Sequence, residues 1–398
     1  MIKNLYKSIA FFILHSHSVS ATTLETKTLE SVTLQLKWHH QFQFAGYYAA
    51  KAKGYYADAG LDVTIKEAIA KLDPVDEVLA GKANFGVATS SLLLAHQAGQ
   101  PVVVLAVIFQ HSPYILLVKQ GTGIESIHDL IGKRMMLETQ ADELLAYLKK
   151  EGVPINSLTI LHHDLTPEAL IQSKANVMSA YATTVPYLLG SFNIPYHSFS
   201  PRSAGIDFYG DNLFTTQDEI NKHPERVKKF RAASLLGWKY ALAHQDEIID
   251  LILDAYPNGR TRDELEYEAH KMMSLIHPEL IELGYMLPER WEHIADTYAD
   301  LGLIPHDISL DSFLYEATTK PNLNRYYWGA CIAFFLFLLT LSITWRFIKL
   351  NRQLDKYLYI KNRHANIGEA INNISHQWKQ PLNSLGLQFM RIEQIIIK

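Results

Sequence analysis

An uncharged stretch at positions 326–345, YYWGACIAFFLFLLTLSITW, constrains the fold of this 398-residue chain more than any other feature. Roughly 20 apolar residues in a helix span the hydrocarbon core of a bilayer. Tyr326 and Trp345 lie near its two ends, where amphipathic rings favour the membrane interface. A buried core helix is the alternative, which the length and the aromatic flanks disfavour. We therefore predict a single transmembrane helix over residues 326–347.

Positive charge is concentrated on one side of this segment. The basic residues that follow it are Arg346, Lys349, Arg352, Lys356, Lys361 and Arg363. Only Lys320 and Arg325 lie close by on the other side. Because basic flanks stay in the cytoplasm, we expect the C-terminal part to be cytoplasmic and residues 31–320 to be periplasmic, in a bacterial inner membrane.

The N-terminus has the features of a secretory signal. Lys3 and Lys7 precede a short apolar core at Ile9–Leu14, and Val19-Ser20-Ala21 offers small residues for cleavage. We expect residues 1–21 to be a signal peptide, with an ordinary N-terminal helix or an uncleaved anchor as the alternatives. Export agrees with a periplasmic domain over residues 31–320.

Charge and cysteine content exclude several functions. The formal net charge is −4, which gives no basic surface for nucleic acid. Cys331 is the single cysteine, so neither an intramolecular disulfide nor a cysteine metal site can form. The pairs His39-His40 and His162-His163 lack a metal-ligand spacing, and we expect no bound metal.

The region before the apolar segment alternates between strand-like and helix-like patterns. Strand patterns occur at Val32–Leu36, Leu61–Ile65, Ala83–Val87 and Val102–Val107, and helical patterns at Ala45–Tyr56, Val75–Ala80 and Ser91–Ala98. Asp129–Met135 begins a second unit, Gly205–Thr216 reads as a strand returning to the first, and Pro224–Ala299 is mostly helical. This alternation predicts an α/β protein with parallel sheets covered on both faces.

Four segments in order carry a family resemblance: LQLKWHHQFQFAGYYAAKAKGYYADAGLDVTI, AGKANFGVATSSLLLAHQAGQPVVVLA, IHDLIGKRM and GIDFYGDNLFTT. Over about residues 31–300 the chain resembles the periplasmic binding-protein superfamily. Its branch is the one with thiamine-pyrimidine synthases and binding proteins for pyrimidine precursors, sulfonates and nitrate. The resemblance implies a type II fold, in which two α/β lobes joined by a hinge hold a ligand in their cleft. We expect lobe crossings near Tyr114–Lys119 and Ile206–Leu213, with the second lobe at about residues 119–205.

The predicted ligand contacts follow strand ends. Trp38, His39 and Gln41 come directly after the first strand, where an aromatic face with amide and imidazole groups suits a flat heteroaromatic. Hydroxyls and free N–H groups at Thr89-Ser90-Ser91 could donate hydrogen bonds to an anionic or carbonyl oxygen of the ligand. Alternatively, Trp38 is a core residue and the hydroxyls only cap a helix. The predicted set is Trp38, His39, Gln41, Glu67, Thr89, Ser90, Ser91, Tyr181, Asp211 and Asn212, for a small polar periplasmic ligand such as a thiamine-precursor pyrimidine.

The synthase branch implies chemistry that this chain is not equipped for. Those enzymes use a lysine that can bind pyridoxal phosphate, a histidine four residues later and a cysteine-rich iron site. The matching positions here are Ala88, Leu92 and residues 210–215, which read GDNLFT. A Schiff base requires a lysine amine. We therefore expect binding without catalysis in this domain, and no cofactor bound by this chain.

After Trp345 the pattern is that of one long helix. Apolar residues recur every three or four positions at Phe347, Leu350, Leu354, Tyr357, Ile367, Ile371, Ile374, Trp378, Leu382 and Leu385. This periodicity is typical of a coiled coil or helical hairpin. We predict a juxtamembrane signalling helix at 348–364 and a dimerisation segment at 365–398, kinked by Pro381. His376 lies about 200° from Ile374 around the helix, on the solvent side.

The segment ISHQWKQPLN at 374–383 resembles the phosphoacceptor box of sensor histidine kinases. The resemblance implies that neutral His376 attacks the γ-phosphoryl of ATP and passes it to a response regulator. Gln377 stands where most of the family has an acidic residue. Gln380 stands at a position commonly occupied by Thr or Asn and linked to phosphatase activity, which puts that activity in doubt. ATP and Mg would bind in an ATP-binding domain, which we expect beyond Lys398.

Three functions follow from these features. The first is a homodimeric sensor histidine kinase of a two-component system, seen as a fragment that cannot phosphorylate itself without the ATP-binding domain. The second is a membrane-tethered solute-binding protein of an ABC-type importer. The third, disfavoured by Ala88 and Leu92, is an enzyme similar to thiamine-pyrimidine synthases.

Overall fold

The computed structural model describes residues 28–69, 72–164, 166–257, 259–306, 308–315 and 323–396. Two compact units are present, the first ending at Ala317 and the second beginning at Thr318. The predicted signal peptide at residues 1–21 lies outside the described residues.

The first unit contains two five-stranded sheets. The strands along the chain are β1 (Glu30–Gln35), β2 (Leu61–Lys66), β3 (Phe85–Ala88), β4 (Val102–Val107), β5 (Tyr114–Lys119), β6 (Arg134–Leu137), β7 (Thr159–His162), β8 (Val177–Tyr181), β9 (Tyr196–Phe199) and β10 (Asn212–Thr216). The first sheet has the order β2-β1-β3-β10-β4, and the second has the order β7-β6-β8-β5-β9. In each sheet one strand that arrives from the other lobe pairs antiparallel to its neighbours. The predicted two-lobed α/β architecture is confirmed.

Helices connect the strands within each lobe. The first lobe has α1 (Ala45–Ala52), α2 (Tyr55–Asp58), α3 (Pro74–Leu79) and α4 (Leu92–Gln97), and the second has α5 (Asp142–Lys150), α6 (Glu168–Ile171) and α7 (Val185–Ser191). The helix predicted over Ala45–Tyr56 is divided in two because Gly54 adopts a left-handed conformation with φ 77°. Asp73 caps α3 by accepting a hydrogen bond from the N–H of Val75.

The chain passes between the lobes twice, at residues 108–113 and 200–211. Backbone hydrogen bonds join these passages: Ile108 N to Asp211 O (2.9 Å), Gly210 N to Phe109 O (2.9 Å) and Ser112 N to Phe208 O (2.9 Å). We call residues 108–113 and 206–211 the hinge ribbon. The prediction that Tyr114–Lys119 is a crossing was wrong: this run is β5, a fully paired strand of the second sheet, so the second lobe begins at Tyr114.

A helical layer covers the first lobe. It consists of α8 (Gln217–Lys222), α9 (Pro224–Ala243), α10 (Gln245–Ala255), α11 (Arg262–Ile276) and α12 (Pro288–Asp300). Gly46 of α1 and Gly237 of α9 let two backbones approach, since a Cβ on Gly237 would lie 2.0 Å from the carbonyl oxygen of Gly46. Phe230 of α9 stacks on Phe85 of β3 with ring centroids 3.9 Å apart, so the layer shares the core of the first sheet.

The second unit is one helix, α13 (Leu323–Ile396), of 74 residues. Of the helices in the described ranges, it alone is long and apolar enough to cross a membrane. The helix continues through Pro381, so the proline does not end it and no hairpin forms before Ile396. The apolar stripe predicted over Phe347–Leu385 is exposed along its length.

A candidate ligand cleft between the two lobes

The two sheets direct their strand ends towards one cleft. Lys37 and Trp38 follow β1 in the first lobe, and Glu138 follows β6 in the second. Ligand sites in α/β proteins form at such carboxyl ends of strands, where loops replace the ladder. The Trp38 ring lies 5.4 Å, centroid to centroid, from the His163 ring of the second lobe. Both lobes therefore contribute to the cleft.

Lys37 is the buried cation of this cleft. Its Nζ donates to the hydroxyl of Tyr181 at 2.5 Å and to that of Tyr114 at 3.3 Å. The ammonium also lies 4.4 Å from the centroid of the Tyr181 ring, a cation–π contact. An ammonium has three donors, so one remains for a further acceptor. Lys37 is 8% exposed, and it binds second-lobe side chains directly.

Asp211 supports this arrangement from the hinge ribbon. Its Oδ1 accepts from the Tyr181 hydroxyl at 2.8 Å, and its Oδ2 accepts from Nε2 of Gln43 at 2.5 Å. Burial raises the pKa of Asp211, while the nearby Lys37 charge and these two hydrogen bonds oppose the rise. The chain of hydrogen bonds from Lys37 through Tyr181 to Asp211 thus links both lobes to the ribbon.

The loop that carries Gln41 and Gln43 is held from the helical layer. Nη2 of Arg260 donates to Oε1 of Gln41 at 2.7 Å, and Gln41 donates to Gln43 at 2.5 Å. The Glu268 carboxyl of α11 accepts from the N–H groups of Phe42 (2.9 Å) and Gln43 (3.1 Å). Burial raises the pKa of Glu268 to about 8, although Arg260 opposes the rise. Glu268 therefore fixes the loop backbone beneath the cleft.

A second set of contacts joins the lobes through Gln140, which lies between β6 and α5. Its Oε1 accepts from the N–H of Thr89 at 3.2 Å, and its Nε2 donates to Asp73 at 2.6 Å. Its carbonyl oxygen accepts from the hydroxyls of Thr89 and Ser91, both at 3.0 Å. We call these contacts the interlobe latch. Gln140 has φ 64°, a left-handed conformation that is strained for a residue with a Cβ.

Two small pockets flank Lys37, Trp38 and Glu138. The first, of about 10 Å³, is lined by Lys37, Trp38, Gln41, Gln43, Glu138, Tyr181, Thr184 and Val185. The second, of about 20 Å³, is lined by Lys37, Trp38, Ala68, Ile69, Leu72, Pro74, Glu138, Thr139, Gln140 and His163. Such volumes match about one water molecule each. The lobes are therefore closed on one another around Lys37 and Trp38.

Some predicted contacts line this cleft. Trp38, Gln41 and Tyr181 are lining residues, and Asp211 bonds to Tyr181 directly behind them. Trp38 shows a face to the second pocket as well, where Ala68 and Ile69 form an apolar wall.

Other predicted contacts hold neighbouring backbone instead. His39 pairs with Glu67 at 3.3 Å, and neither residue is among the lining residues. The Ser90 hydroxyl donates to the carbonyl of Tyr209 at 2.7 Å, and Nδ2 of Asn212 donates to that of Gly210 at 2.8 Å. Thr89 and Ser91 bind Gln140 in the latch.

Several cleft residues are missing from the predicted set. They are Lys37, Gln43, Glu138, Gln140, His163 and Thr184. Lys37 was the one within reach of sequence reasoning, because it stands directly between β1 and Trp38. The second-lobe residues become recognisable only when strands distant in sequence are placed together.

The structure also locates the positions relevant to a cofactor or metal. Ala88 ends β3 and Leu92 begins α4, and both are fully buried apolar residues that provide no amine or imidazole for pyridoxal phosphate. Within the described ranges, no three His, Cys, Asp or Glu side chains are grouped closely enough to hold a metal ion.

His376, Gln377 and Gln380 all lie on α13, which belongs to the second unit, whereas the cleft belongs to the first. Each is exposed to solvent. His376 and Gln380 are four residues apart and therefore share one helix face.

Comparisons with known proteins agree with this fold. A sequence profile described as NMT1/THI5 like matches residues 41–248. A riboflavin-binding protein, RibY, of Chloroflexus aurantiacus is 30% identical over 249 residues, which cover 59% of this chain and 69% of that protein. A 4-amino-5-hydroxymethyl-2-methylpyrimidine phosphate synthase of Legionella pneumophila is 23% identical, over 58% of this chain and 75% of the enzyme. Among solved structures, the alkanesulfonate-binding protein SsuA of Xanthomonas axonopodis pv. citri superposes with a TM-score of 0.57 at 13% identity, covering 72% of this chain and 98% of that one.

Proposed function

This chain belongs to the NMT1/THI5 like family, and from that premise we propose that its first unit binds a small polar ligand between its lobes while α13 anchors it in a membrane. The observation that carries the proposal is the closed cleft around Lys37 and Trp38, in which an ammonium, an aromatic face and the Glu138 carboxylate meet. Relatives named for riboflavin and for pyrimidine chemistry support a flat heteroaromatic ligand. Orientation with the first unit in the periplasm follows from the basic residues after Trp345.

A thermal-shift screen of the full chain in lipid nanodiscs tests the binding proposal. Riboflavin, thiamine-precursor pyrimidines, alkanesulfonates and nitrate are the probes, followed by calorimetry on those that stabilise the protein. We expect a heteroaromatic to raise the Tm, and Lys37→Met to weaken its affinity by about 10- to 100-fold, because a hydrogen bond from a charged donor contributes about 1.5–3 kcal/mol. Lys66→Met, at an exposed position on β2, is the matched control. Stabilisation by inorganic anions alone, or equal affinity in Lys37→Met, would contradict the proposed ligand site.

The role that the relatives support best is that of a membrane-tethered solute-binding protein for an ABC-type importer. In this role α13 keeps the closed, loaded unit near the transporter. Co-purification with a permease, and ligand uptake that depends on the Lys37 site, are the expected results. Ligand uptake that is unchanged in cells lacking this protein would refute the importer role. It would leave the ligand-binding proposal unaffected.

A sensor histidine kinase is the second candidate, and the sequence around His376 favours it. Here lobe closure would alter two α13 helices in a homodimer, and His376 would carry the phosphoryl group to a response regulator. Gln377 can accept a hydrogen bond from the imidazole but cannot act as a base. Its test supplies the ATP-binding domain of a sensor histidine kinase in trans with labelled ATP and Mg. We expect label on the wild type and on His364→Ala, a control on the same helix, and none on His376→Ala. Equal labelling of His376→Ala would remove this candidate.

A synthase similar to the Legionella relative is the third reading, and the buried methyl of Ala88 disfavours it. Lysine chemistry at that position requires an amine. Absence of a pyridoxal phosphate absorbance band after incubation with the cofactor is the expected result, and appearance of the band would revive this reading.

A further inference from the structure

Glu143 is a buried carboxyl beside the hinge ribbon that ligand binding does not use. It is the second residue of α5 and is 5% exposed. The Ser112 side chain and the Phe208 backbone favour its charged form, and these two residues belong to the two passages of the ribbon. Its Oε1 is buried and has no hydrogen-bond partner among the described residues. A carboxylate at this point would leave one charged oxygen desolvated, whereas the protonated acid would not.

The start of α5 also lies next to the hydrogen bonds that join the second lobe to the first. Gln140, three residues before Glu143, forms the interlobe latch to Thr89, Ser91 and Asp73. Separation of the lobes would break these contacts. Water would then reach the carboxyl of Glu143 and bring its acidity back towards the ordinary value.

Charged and titratable groups surround Glu143 on every side. Asp207 of the ribbon repels its negative charge, and Lys37 after β1 attracts it. Tyr114 of β5 and Tyr298 of α12 lie close enough for an electrostatic interaction with it, and both are neutral phenols with raised pKa values because they are buried. On the same helix, Asp142 contributes one further negative charge near Tyr298.

The charge of Asp207 is compensated locally. His111 of the ribbon lies 2.8 Å from its carboxylate, and Arg290 and Arg202 lie 3.4 Å and 3.6 Å from it. Across the latch, Asp73 has a pKa raised by burial and, secondarily, by the charges of Asp76 and Asp142. Asp73 of the first lobe and Asp142 of the second thus place carboxyl groups on both sides of the closed seam.

We propose that protonation of Glu143 favours closure of the two lobes, so that acidity of the surrounding compartment acts on the same hinge as the ligand. Burial raises the pKa of Glu143 from 4.5 to about 8, while Ser112, the Phe208 backbone and the charge of Lys37 oppose the rise. A raised pKa in the closed form means that closure is favoured fully below pH 4.5 and that this preference is lost as pH rises towards about 8. Within that window the closure constant falls by up to about tenfold per pH unit.

The test needs no ligand, although its biological meaning rests on the proposed lobe closure. Spin labels are placed at Lys51→Cys in the first lobe and Lys174→Cys in the second, in the full chain with Cys331→Ser; both lysines are exposed. We expect a short interlobe distance at about pH 5 and a growing long-distance population towards about pH 9. Glu143→Gln should keep the short distance at both pH values, and the control Glu151→Gln on the same stretch should behave as wild type. The inference is overturned if the interlobe distances of the wild type do not change with pH, or if Glu143→Gln shows the same pH dependence as the wild type.

A second variant covers the case in which Glu143→Gln fails to fold. Ser112→Ala removes a hydroxyl that favours the ionised form of Glu143, so the midpoint of the distance change should move to higher pH. An unmoved midpoint overturns the inference. A pH-dependent hinge in a protein that binds none of the screened compounds would instead count against the proposed ligand function alone.

Discussion

Removing the side chain of Gln140 should shift the equilibrium between closed and open lobes by about 30-fold. Gln140→Ala breaks the 2.6 Å bond to Asp73 and the 3.2 Å bond from the N–H of Thr89. A half-buried charge-assisted bond contributes about 1.5 kcal/mol, and a long neutral bond contributes about 0.5 kcal/mol. Their sum of about 2 kcal/mol corresponds to about 30-fold, because each 1.4 kcal/mol is tenfold. The carbonyl of Gln140 still accepts from Thr89 and Ser91, so the latch is weakened and not abolished.

Gln140→Gly separates the latch from backbone strain. It loses the same side-chain bonds as Gln140→Ala, but glycine adopts φ 64° without the penalty that a Cβ brings. Both variants should therefore shift the closure equilibrium equally. The free energy of unfolding of the glycine variant should be about 1 kcal/mol higher than that of the alanine variant.

Interlobe spin-label distances near neutral pH measure the closure equilibrium, and urea unfolding measures stability. Gln172→Ala, an exposed glutamine of the same lobe, is the control. Closure that is unchanged in Gln140→Ala would refute the assignment of the latch. If Gln140→Ala and Gln140→Gly differ in the closure equilibrium but have the same free energy of unfolding, the backbone strain at Gln140 is not separate from its side-chain hydrogen bonds.

Three further predictions concern the scaffold and the cleft. Gly237→Ala should lower the free energy of unfolding by about 3 kcal/mol or more, because its Cβ would lie 2.0 Å from the Gly46 carbonyl oxygen. The control Gly190→Ala, with open space around it, should raise the free energy of unfolding slightly, and denaturant titration measures both variants. Glu268→Ala leaves the N–H groups of Phe42 and Gln43 without their acceptor and should lower the free energy of unfolding by about 2–4 kcal/mol; a loss below about 0.5 kcal/mol would contradict the anchoring role. Asp211→Asn should weaken ligand affinity about tenfold through the loss of the charge beside Lys37, and calorimetry should show no change for the exposed control Asp218→Asn.

Local patterns predicted the first lobe well. The apolar run Val102–Val107 coincides with β4, and the alternating run at Leu61 marks β2 to within one residue. Both strands are specified by side chains within the strand itself, which is the information that periodicity reads. The first crossing was misplaced for the same reason: Ile108 and Phe109 continue the apolar run of β4, and the next apolar run is β5.

The first-lobe side of the cleft was the more predictable, and Tyr181 is the second-lobe lining residue in the predicted set. Trp38 and Gln41 follow β1 directly, so strand-end reasoning finds them. Gln140 binds Thr89 from 51 positions away, and Lys37 binds Tyr181 from 144 positions away. Those pairings are set by the order in which strands assemble into sheets. No local signal distinguishes Glu138 or Gln140 from other polar residues that follow a strand.

The length of α13 bears on the choice between tether and sensor. A membrane anchor needs roughly 20 apolar residues, and α13 has 74. Beyond Trp345 the helix keeps an apolar stripe that includes Leu350, Leu354 and Ile371, all more than half exposed. In water such a stripe favours association, and an isolated tether would be more soluble without it. The proposed pairing of two α13 helices would cover this stripe, whereas the relatives favour a binding protein for an importer. The two proposals agree if a binding unit of this family is joined to a signalling helix. Phosphoryl labelling of His376 in the presence of an ATP-binding domain distinguishes such a protein from one in which α13 is only an anchor.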